Sequence, residues 1–209
     1  EMKTRKFIED KVGTLEWGSW EDFKLVREKL ILEDASYEFD VGKLRKKLLL
    51  MKIRERVSDP EAANELSEKA FQLFLKERNK VDFFPYVLVE IEKLSQTYEL
   101  GCLTNGNADI EIIGIGKFFK FNISSKDVGA NKPSENHFHN ARELLGLGKD
   151  EILHIGDHKI NDMHGAISYG FKALWFNPHK EIWDLKDTKK PFEFSIWKGL
   201  TEKINSFYS

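Results

Sequence analysis

The sequence predicts an α/β protein in which a helical bundle is followed by a parallel sheet. Before Pro85 the chain is strongly charged, and its apolar residues recur at helical spacing. After Pro85, short apolar runs alternate with helical segments, a pattern typical of a doubly wound parallel sheet. We therefore predict a helical domain over residues 1–83 and an α/β domain over residues 84–209.

The predicted helical domain contains three amphipathic segments. Residues 20–30 and 44–51 carry apolar side chains at helical spacing. A third helix is predicted to begin at Pro60, directly after Asp59, because proline suits a first helical turn and aspartate is a favoured cap. This periodicity is compatible with any antiparallel bundle, so by itself it assigns no role to the domain.

Strands and helices alternate through the predicted α/β domain. The predicted strands cover residues 98–103, 121–124, 152–155, 173–176 and 192–196. The predicted helices cover residues 85–96, 109–115, 134–145, 161–169 and 198–207. Because the carboxyl ends of parallel strands meet at one edge of a sheet, polar residues that directly follow a strand are candidates for a shared site.

The most informative segment covers residues 153–162 and reads LHIGDHKIND. An apolar strand ends at Gly156, Asp157 follows at once, and Asp162 stands at the start of the next helix. Carboxylates at a strand end, with a helix N-terminus beside them, suit a Mg²⁺ ion and a phosphate. A purely structural alternative is that Asp162 caps its helix.

Two upstream segments carry groups that can bind a phosphate. A buried strand runs into Thr104, and the turn residues Asn105 and Gly106 follow. The Thr104 hydroxyl and the backbone N–H groups of the turn can donate to phosphoryl oxygens. Further along, Lys132 precedes Pro133 and a predicted helix, which places its ammonium near a helix start. Each signal alone fits an ordinary turn or a surface lysine, but their order after successive strands favours one site.

In this order, the three segments closely resemble motifs II, III and IV of the haloacid dehalogenase superfamily. The resemblance is detailed over residues 83–178 and is strongest to phosphatases with a helical cap near the start of the sequence. Among these it is similar to the flavin-pathway phosphatases that act on FMN or its ribitylamino-pyrimidine precursor. The resemblance implies a Rossmann-like parallel core, with the predicted helical domain as its cap.

The resemblance also implies a Mg²⁺-dependent phosphatase that acts on a small phosphorylated metabolite through an aspartyl-phosphate intermediate. It assigns Asp157 and Asp162 to the metal, where Asp157 is a ligand and Asp162 ligates or orients the metal shell. A dehalogenase on the same fold is an alternative. The paired carboxylates favour the phosphatase, because dehalogenation needs no metal.

The same resemblance assigns four residues to the transferred phosphoryl group. Lys132 would offset negative charge on the nucleophile and on the phosphoryl group, and together with Thr104 it is implied to be catalytic. Thr104, Asn105 and Gly106, with Lys132, would hold the phosphoryl oxygens as charge spreads over them.

One element of the resembled pattern is absent from the sequence. The family carries its nucleophile on a strand ending Asp-x-Asp, which precedes the cap and lies in the sheet between the strands of motifs II and IV. Asp22, Asp34, Asp40 and Asp59 all stand in charged amphipathic surroundings rather than after an apolar strand. We expect the nucleophile upstream of Glu1, and without its strand the sheet would be interrupted. The alternative is a truncated or binding-only protein that does not catalyse.

Composition argues against several other classes of protein. The net charge of −2 provides no basic surface for nucleic acid or an anionic membrane. The single cysteine, Cys102, is predicted to be a core residue and argues against a disulfide scaffold. We recognise no signal peptide and no apolar run long enough to span a bilayer, so the expected location is the cytoplasm. The spacing of His154 with His158, and of His137 with His139, does not favour a histidine metal site.

Overall fold

The computed structural model describes residues 1–208, and the chain forms two compact units. The first, called here the helical unit, comprises Glu1–Val81 and Gly106–Ile113. The second, called here the α/β unit, comprises Asp82–Asn105 and Gly114–Ser209. Within the described part of the chain, no helix has the length and apolar character needed to cross a membrane.

Helices account for most of the regular structure. In chain order they are α1 (Met2–Val12), α2 (Trp20–Glu33), α3 (Val41–Arg54), α4 (Pro60–Arg78), α5 (Val87–Ser95), α6 (Ile110–Ile113), α7 (Ser125–Val128), α8 (Asn136–Leu145), α9 (Gly165–Tyr169) and α10 (Leu200–Tyr208). The start of α4 agrees with the sequence prediction, because the Asp59 side chain accepts the N–H of Ala62 and Pro60 occupies the first turn.

The helical unit is built around one apolar core. α1, α3 and α4 contribute most of its buried residues, and the loop after α1 contributes Leu15; the set is Ile8, Leu15, Leu49, Ile53, Ala63 and Ala70. The small side chains of Ala63 and Ala70 allow α4 to lie close to its neighbours. α2 begins at a reciprocal cap, in which Ser19 and Asp22 each accept the other's backbone N–H.

The described strands of the α/β unit form two parallel sheets. β1 (Gly101–Thr104) pairs with β2 (Phe121–Ser124), and a second sheet has the order β3 (Leu153–Gly156), β4 (Lys172–Phe176), β5 (Phe192–Phe194). Among residues 1–208, β1 and β3 each have one strand neighbour. The division between the sheets therefore separates the strands of motifs II and IV, which is where the sequence predicts an interruption.

Helices cover both faces of the three-stranded sheet. Trp175 of β4 belongs to a buried cluster that includes Phe138 of α8. The next residue, Phe176, belongs to a different cluster, which includes Leu94 of α5 and Leu200 of α10. Because successive strand residues point to opposite faces, this alternation places helices on either side of the sheet. The α/β prediction is thereby confirmed.

Local structure differs from the prediction at two places near the predicted polar residues. α8 begins at Asn136 rather than at residue 134, so Lys132 and Pro133 lie in the preceding turn and not in a helical turn. The helix predicted over residues 161–169 is divided into a π-helical turn, Lys159–His164, and α9. Such wide turns occur frequently at functional sites, and this one contains Asp162.

Candidate active site

The sequence-predicted polar residues follow the carboxyl ends of β1 and β3. Thr104 is the last residue of β1 and Asn105 comes next, while Asp157 follows Gly156 at the end of β3. Open α/β sheets bind ligands at this edge. Gly106, the next residue after Asn105, belongs to the helical unit.

Lys132 is a buried cation at this edge. The residue is only 7% exposed. Its ammonium donates to the carbonyl oxygen of Leu103 at 2.8 Å and to Oδ1 of Asp162 at 2.7 Å. The lysine thus links the end of β1 to the segment that follows β3, across the division between the sheets. A buried ammonium is costly unless it is paired and hydrogen-bonded, and both conditions are met here.

The side chain of Asn105 holds the backbone of Lys132. Its Oδ1 accepts the Lys132 N–H at 2.7 Å, and its Nδ2 donates to the Lys132 carbonyl at 2.9 Å. The same Oδ1 accepts the Ser125 hydroxyl at 3.2 Å. The sequence assigns only the backbone N–H of Asn105 to a phosphate, so this second role of the residue was missed. Asn105 and Lys132 are 27 positions apart in the sequence, and no local pattern links them.

Asp162 is a buried carboxylate with three donors. Its Oδ1 accepts from Lys132 and from Nε2 of His154 at 3.2 Å, and its Oδ2 accepts the N–H of His158 at 3.0 Å. Burial acts to raise the pKa of Asp162, but the hydrogen bond from His154 and the charge of Lys132 hold that pKa well below its usual range. Because both oxygens are engaged within the chain, Asp162 is better suited to orient a metal shell than to ligate the metal directly.

Gly156 makes the close approach of Asp162 possible. A Cβ atom at position 156 would lie 2.4 Å from Cγ of Asp162 and 2.5 Å from its Cβ. No side chain fits in that space, so glycine at the end of β3 is required by packing rather than by a special backbone conformation. Sequence reasoning identified Gly156 only as the end of a strand.

Asp157 differs from Asp162 in its surroundings. Its side chain is exposed, and within residues 1–208 its carboxylate has no hydrogen-bond or ion-pair partner. The backbone is held instead, since Nε1 of Trp175 donates to the Asp157 carbonyl at 2.9 Å. Asp157 borders a cavity of about 400 Å³ that is also lined by Lys159, Glu181 and Asp184. An anchored backbone with an open carboxylate is a suitable arrangement for a metal ligand.

Two histidines with little exposure to solvent adjoin the predicted residues. His154, on β3, donates to Asp162, and His137, on α8, has its Nε2 at 3.2 Å from the carbonyl oxygen of Thr104. Burial lowers the pKa of both histidines. In the sequence, their spacing with His158 and His139 does not favour a metal site, and no other role was predicted for them. The alternation on β3, which places residues 154 and 156 on one face, is the signal that could have identified His154.

The described residues do not by themselves form a complete set of metal-binding side chains. Among residues 1–208, no group of three or more His, Cys, Asp or Glu side chains is arranged to hold a metal ion. Asp157 fits the role of one carboxylate ligand. Asp162 fits the role of a residue that orients the groups around a metal without binding the metal directly. The structure therefore brings Asn105, Lys132 and Asp162 into contact, and leaves the Asp157 carboxylate available for a further group.

A parallel α/β core with carboxylates and a buried lysine at the carboxyl edge of its strands is an arrangement suited to binding an anion. Residues 43–176, more than half of the chain, match the family model described as haloacid dehalogenase-like hydrolase. The chain belongs to the haloacid dehalogenase-like hydrolase family, and it is an enzyme of that hydrolase class. The resemblance drawn from the three motifs is thereby confirmed.

Two curated relatives of the chain are named as phosphatases. The 5-amino-6-(5-phospho-D-ribitylamino)uracil phosphatase of Escherichia coli is 28% identical over 168 residues, which cover 78% of this chain and 71% of the relative. The phosphoserine phosphatase of Thermus thermophilus is 29% identical over 140 residues, covering 64% of this chain. The chain spans only 55% of the length of that second relative.

A solved structure resembles the chain along nearly its whole length. It is described as a 2-haloacid dehalogenase from Pseudomonas syringae pv. Tomato, and it superposes with a TM-score of 0.87 at 28% identity. The match covers 99% of this chain and 91% of that one. The curated relatives and this structural relative thus carry names from two different reactions of one family.

Proposed function

We propose that this chain forms the cap and much of the core of a Mg²⁺-dependent phosphatase that acts on a small phosphorylated metabolite through an aspartyl-phosphate intermediate. The observation that carries the proposal is the buried Lys132. Its ammonium is held at the carboxyl edge by Leu103 and Asp162, beside the end of β1. A cation kept at this edge despite the cost of burial suits an anionic substrate.

The transferred phosphoryl group would be bound by Lys132 and by the turn after β1. Lys132 would offset charge on the phosphoryl group as it passes through the transition state. The Thr104 hydroxyl and the N–H groups of Asn105 and Gly106 would donate to phosphoryl oxygens. The clasp between the Asn105 side chain and the Lys132 backbone supports this assignment, because it ties two of the proposed groups to each other.

Asp157 would be a ligand of the Mg²⁺ ion, and Asp162 would orient the site through Lys132, His154 and the backbone of residue 158. When bound, Mg²⁺ would neutralise charge between a carboxylate nucleophile and a phosphate. Asp157→Asn should abolish turnover while changing the free energy of unfolding by less than about 0.5 kcal/mol, because the carboxylate is exposed. Phosphate release and urea denaturation measure the two effects, and retained Mg²⁺-dependent turnover would contradict the assignment.

The nucleophile would be an aspartate outside residues 1–209. Four of the six aspartates that precede the first strand serve as helix caps: Asp22 in the capping box of α2, Asp34 before a short 3₁₀ helix, Asp40 before α3 and Asp59 before α4. The other two are Asp10, within α1, and Asp82, in the loop after α4, and neither follows a strand. A strand carrying the nucleophile would fit the division between β1 and β3, where each has an edge without a strand neighbour in the described part of the chain.

The experiment that tests this function is phosphate release by the natural full-length protein from a substrate panel. The panel contains FMN, the ribitylamino-pyrimidine phosphate named for the E. coli relative, and phosphoserine. We expect release that requires Mg²⁺ and stops on chelation. Mass spectrometry of the protein trapped during turnover should find a phosphorylated aspartate outside the 209 residues. No release from any phosphomonoester would refute the proposal.

A dehalogenase is the second candidate, favoured by the description of the structural relative with a TM-score of 0.87. It predicts chloride release from 2-chloropropionate without any metal. The exposed Asp157 carboxylate supports the phosphatase over the dehalogenase, because only the phosphatase would use a metal ligand at that position.

A further inference from the structure

His154 and Gly156 together form the seat of the Asp162 side chain. Both residues lie on one face of β3, because they are two positions apart in a strand. Gly156 leaves room for the Asp162 carboxylate, which a Cβ atom would displace. His154 donates to the same carboxylate from the preceding position on that face, at 3.2 Å. The His-x-Gly pattern therefore specifies where Asp162 lies.

The direction of the hydrogen bond between His154 and Asp162 follows from their protonation. Asp162 is ionised and can only accept, so Nε2 of His154 carries the proton. The ring is also packed against Phe138, with the two planes nearly perpendicular at 85° and the centroids 5.4 Å apart.

Oδ1 of Asp162 accepts from His154 and Lys132 at the same time, at 3.2 Å and 2.7 Å. The histidine side chain is 11% exposed, and those of the lysine and aspartate are 8% and 9% exposed. With the His154 donor absent, Oδ1 of Asp162 would keep only the Lys132 ammonium as a donor, and only the His158 N–H would hold the other oxygen. The carboxylate and the ammonium would then be fixed less firmly. We infer that His154 is a positioning residue, which fixes Asp162 so that Asp162 holds the Lys132 ammonium where it meets a phosphoryl group.

This inference rests on the proposed phosphatase function only for the identity of the anion. Two variants of the full-length protein separate the hydrogen bond from the volume of the side chain. His154→Leu fills a similar space without a donor, and His154→Gln keeps an N–H donor. His139→Leu is the matched control, because His139 is an exposed histidine on α8 whose Nδ1 contacts the Tyr169 hydroxyl instead.

The first measurement is the ¹H–¹⁵N resonance of the Lys132 ammonium, identified by its loss in Lys132→Met. The second is the pair kcat and KM on the phosphomonoester that the panel identifies. We expect His154→Leu to shift or broaden the resonance and to lower kcat by about 10- to 100-fold, with KM changed less than about twofold. His154→Gln should restore the resonance and most of kcat, and His139→Leu should leave both unchanged.

A purely structural role would lower the thermal unfolding midpoint of His154→Leu without moving the Lys132 resonance or the kcat of the folded fraction, and that result would overturn the inference. An equal loss of kcat in His154→Gln and His154→Leu would overturn the inference as well. If His154→Leu does not fold, His154→Asn, whose shorter amide does not reach Asp162, replaces it. If the unsubstituted protein turns over no phosphomonoester, the proposed function fails, while the resonance still decides the role of His154.

Discussion

The described part of the α/β unit contains a buried ion pair as well as exposed ones, whereas each ion pair of the helical unit has at least one exposed side chain. In the helical unit, pairs such as Lys69–Glu65 lie at the surface, with side chains 61% and 69% exposed. In the α/β unit, the side chains of Lys132 and Asp162 are 8% and 9% exposed. Exposed pairs contribute little to stability, whereas a buried pair is costly to form and more costly to break. Charge that is retained in the interior therefore marks the part of the molecule where chemistry is expected.

A second comparison, within the α/β unit, shows that burial of a charge is not sufficient to identify the site. Glu90 on α5 is 2% exposed, yet it accepts from the N–H groups of Gly199 and Thr201 and from the Thr201 hydroxyl at the start of α10. The Glu90 side chain therefore caps the N-terminus of α10, although the residue itself lies on α5. Glu90 also accepts from Lys93 at 3.4 Å, but that lysine side chain is 43% exposed, whereas Asp162 is paired with the buried Lys132. The identity of the partners distinguishes the structural carboxylate from the candidate functional one.

The largest loss of stability is expected when the buried pair of Lys132 and Asp162 is broken. Lys132→Met should lower the free energy of unfolding by about 3–5 kcal/mol, because it leaves Asp162 buried without its cation. Turnover should be lost as well. Lys69→Met, in the exposed pair, should cost less than about 1 kcal/mol. Urea denaturation compares the variants, and equal costs would remove the distinction between the two units.

The next effect tests the structural carboxylate. Glu90→Ala should cost about 2–3 kcal/mol, because buried donors at the start of α10 lose a charged acceptor. Glu92→Ala is the control on the same helix, where the side chain is exposed, and it should change stability by less than about 0.5 kcal/mol. The folded Glu90 variant should retain its kcat. A selective loss of kcat would mean that this carboxylate also serves the site.

The pH dependence of stability sharpens the interpretation of Glu90. Burial acts to raise its pKa, but the donors of Thr201 and Gly199 hold that pKa below the ordinary value of 4.5. A lowered pKa in the folded state stabilises the protein above the unfolded pKa, and this contribution is lost as the pH falls through the folded pKa. The difference in unfolding free energy between the unsubstituted protein and Glu90→Gln should therefore have its full size at pH 7 and become smaller below pH 4.5. A difference that is constant with pH would contradict the assignment.

The smallest of these three expected losses of stability tests the seat of Asp162. Gly156→Ala should cost about 1–3 kcal/mol and should lower kcat, since the new methyl group displaces the carboxylate that holds Lys132. The control is Gly101→Ala at the start of β1, where the new methyl group would meet the ring of Phe121 instead. It should destabilise the protein without lowering the kcat of the folded fraction. Equal effects on kcat would indicate a general loss of packing rather than displacement of Asp162.

Local features of the fold could be predicted from the sequence alone. The Asp59 cap and Pro60 located the start of α4, and the apolar runs located the five strands to within a few residues. These features depend on neighbours in the chain, so a periodicity or a capping residue is enough to predict them. The predicted interruption between the strands of motifs II and IV has its counterpart in the division between the two sheets.

The sequence by itself determined the order of the elements and the residue types at the carboxyl edge, because both are written in short-range patterns. Only the tertiary structure decided how those residues divide their roles. The clasp between Asn105 and Lys132 joins residues 27 positions apart, and the pair formed by Lys132 and Asp162 joins residues 30 positions apart. The burial of Lys132, the acceptance of two donors by one oxygen of Asp162, and the lack of room for a Cβ atom at Gly156 all depend on three-dimensional packing. No local pattern of residues determines that packing.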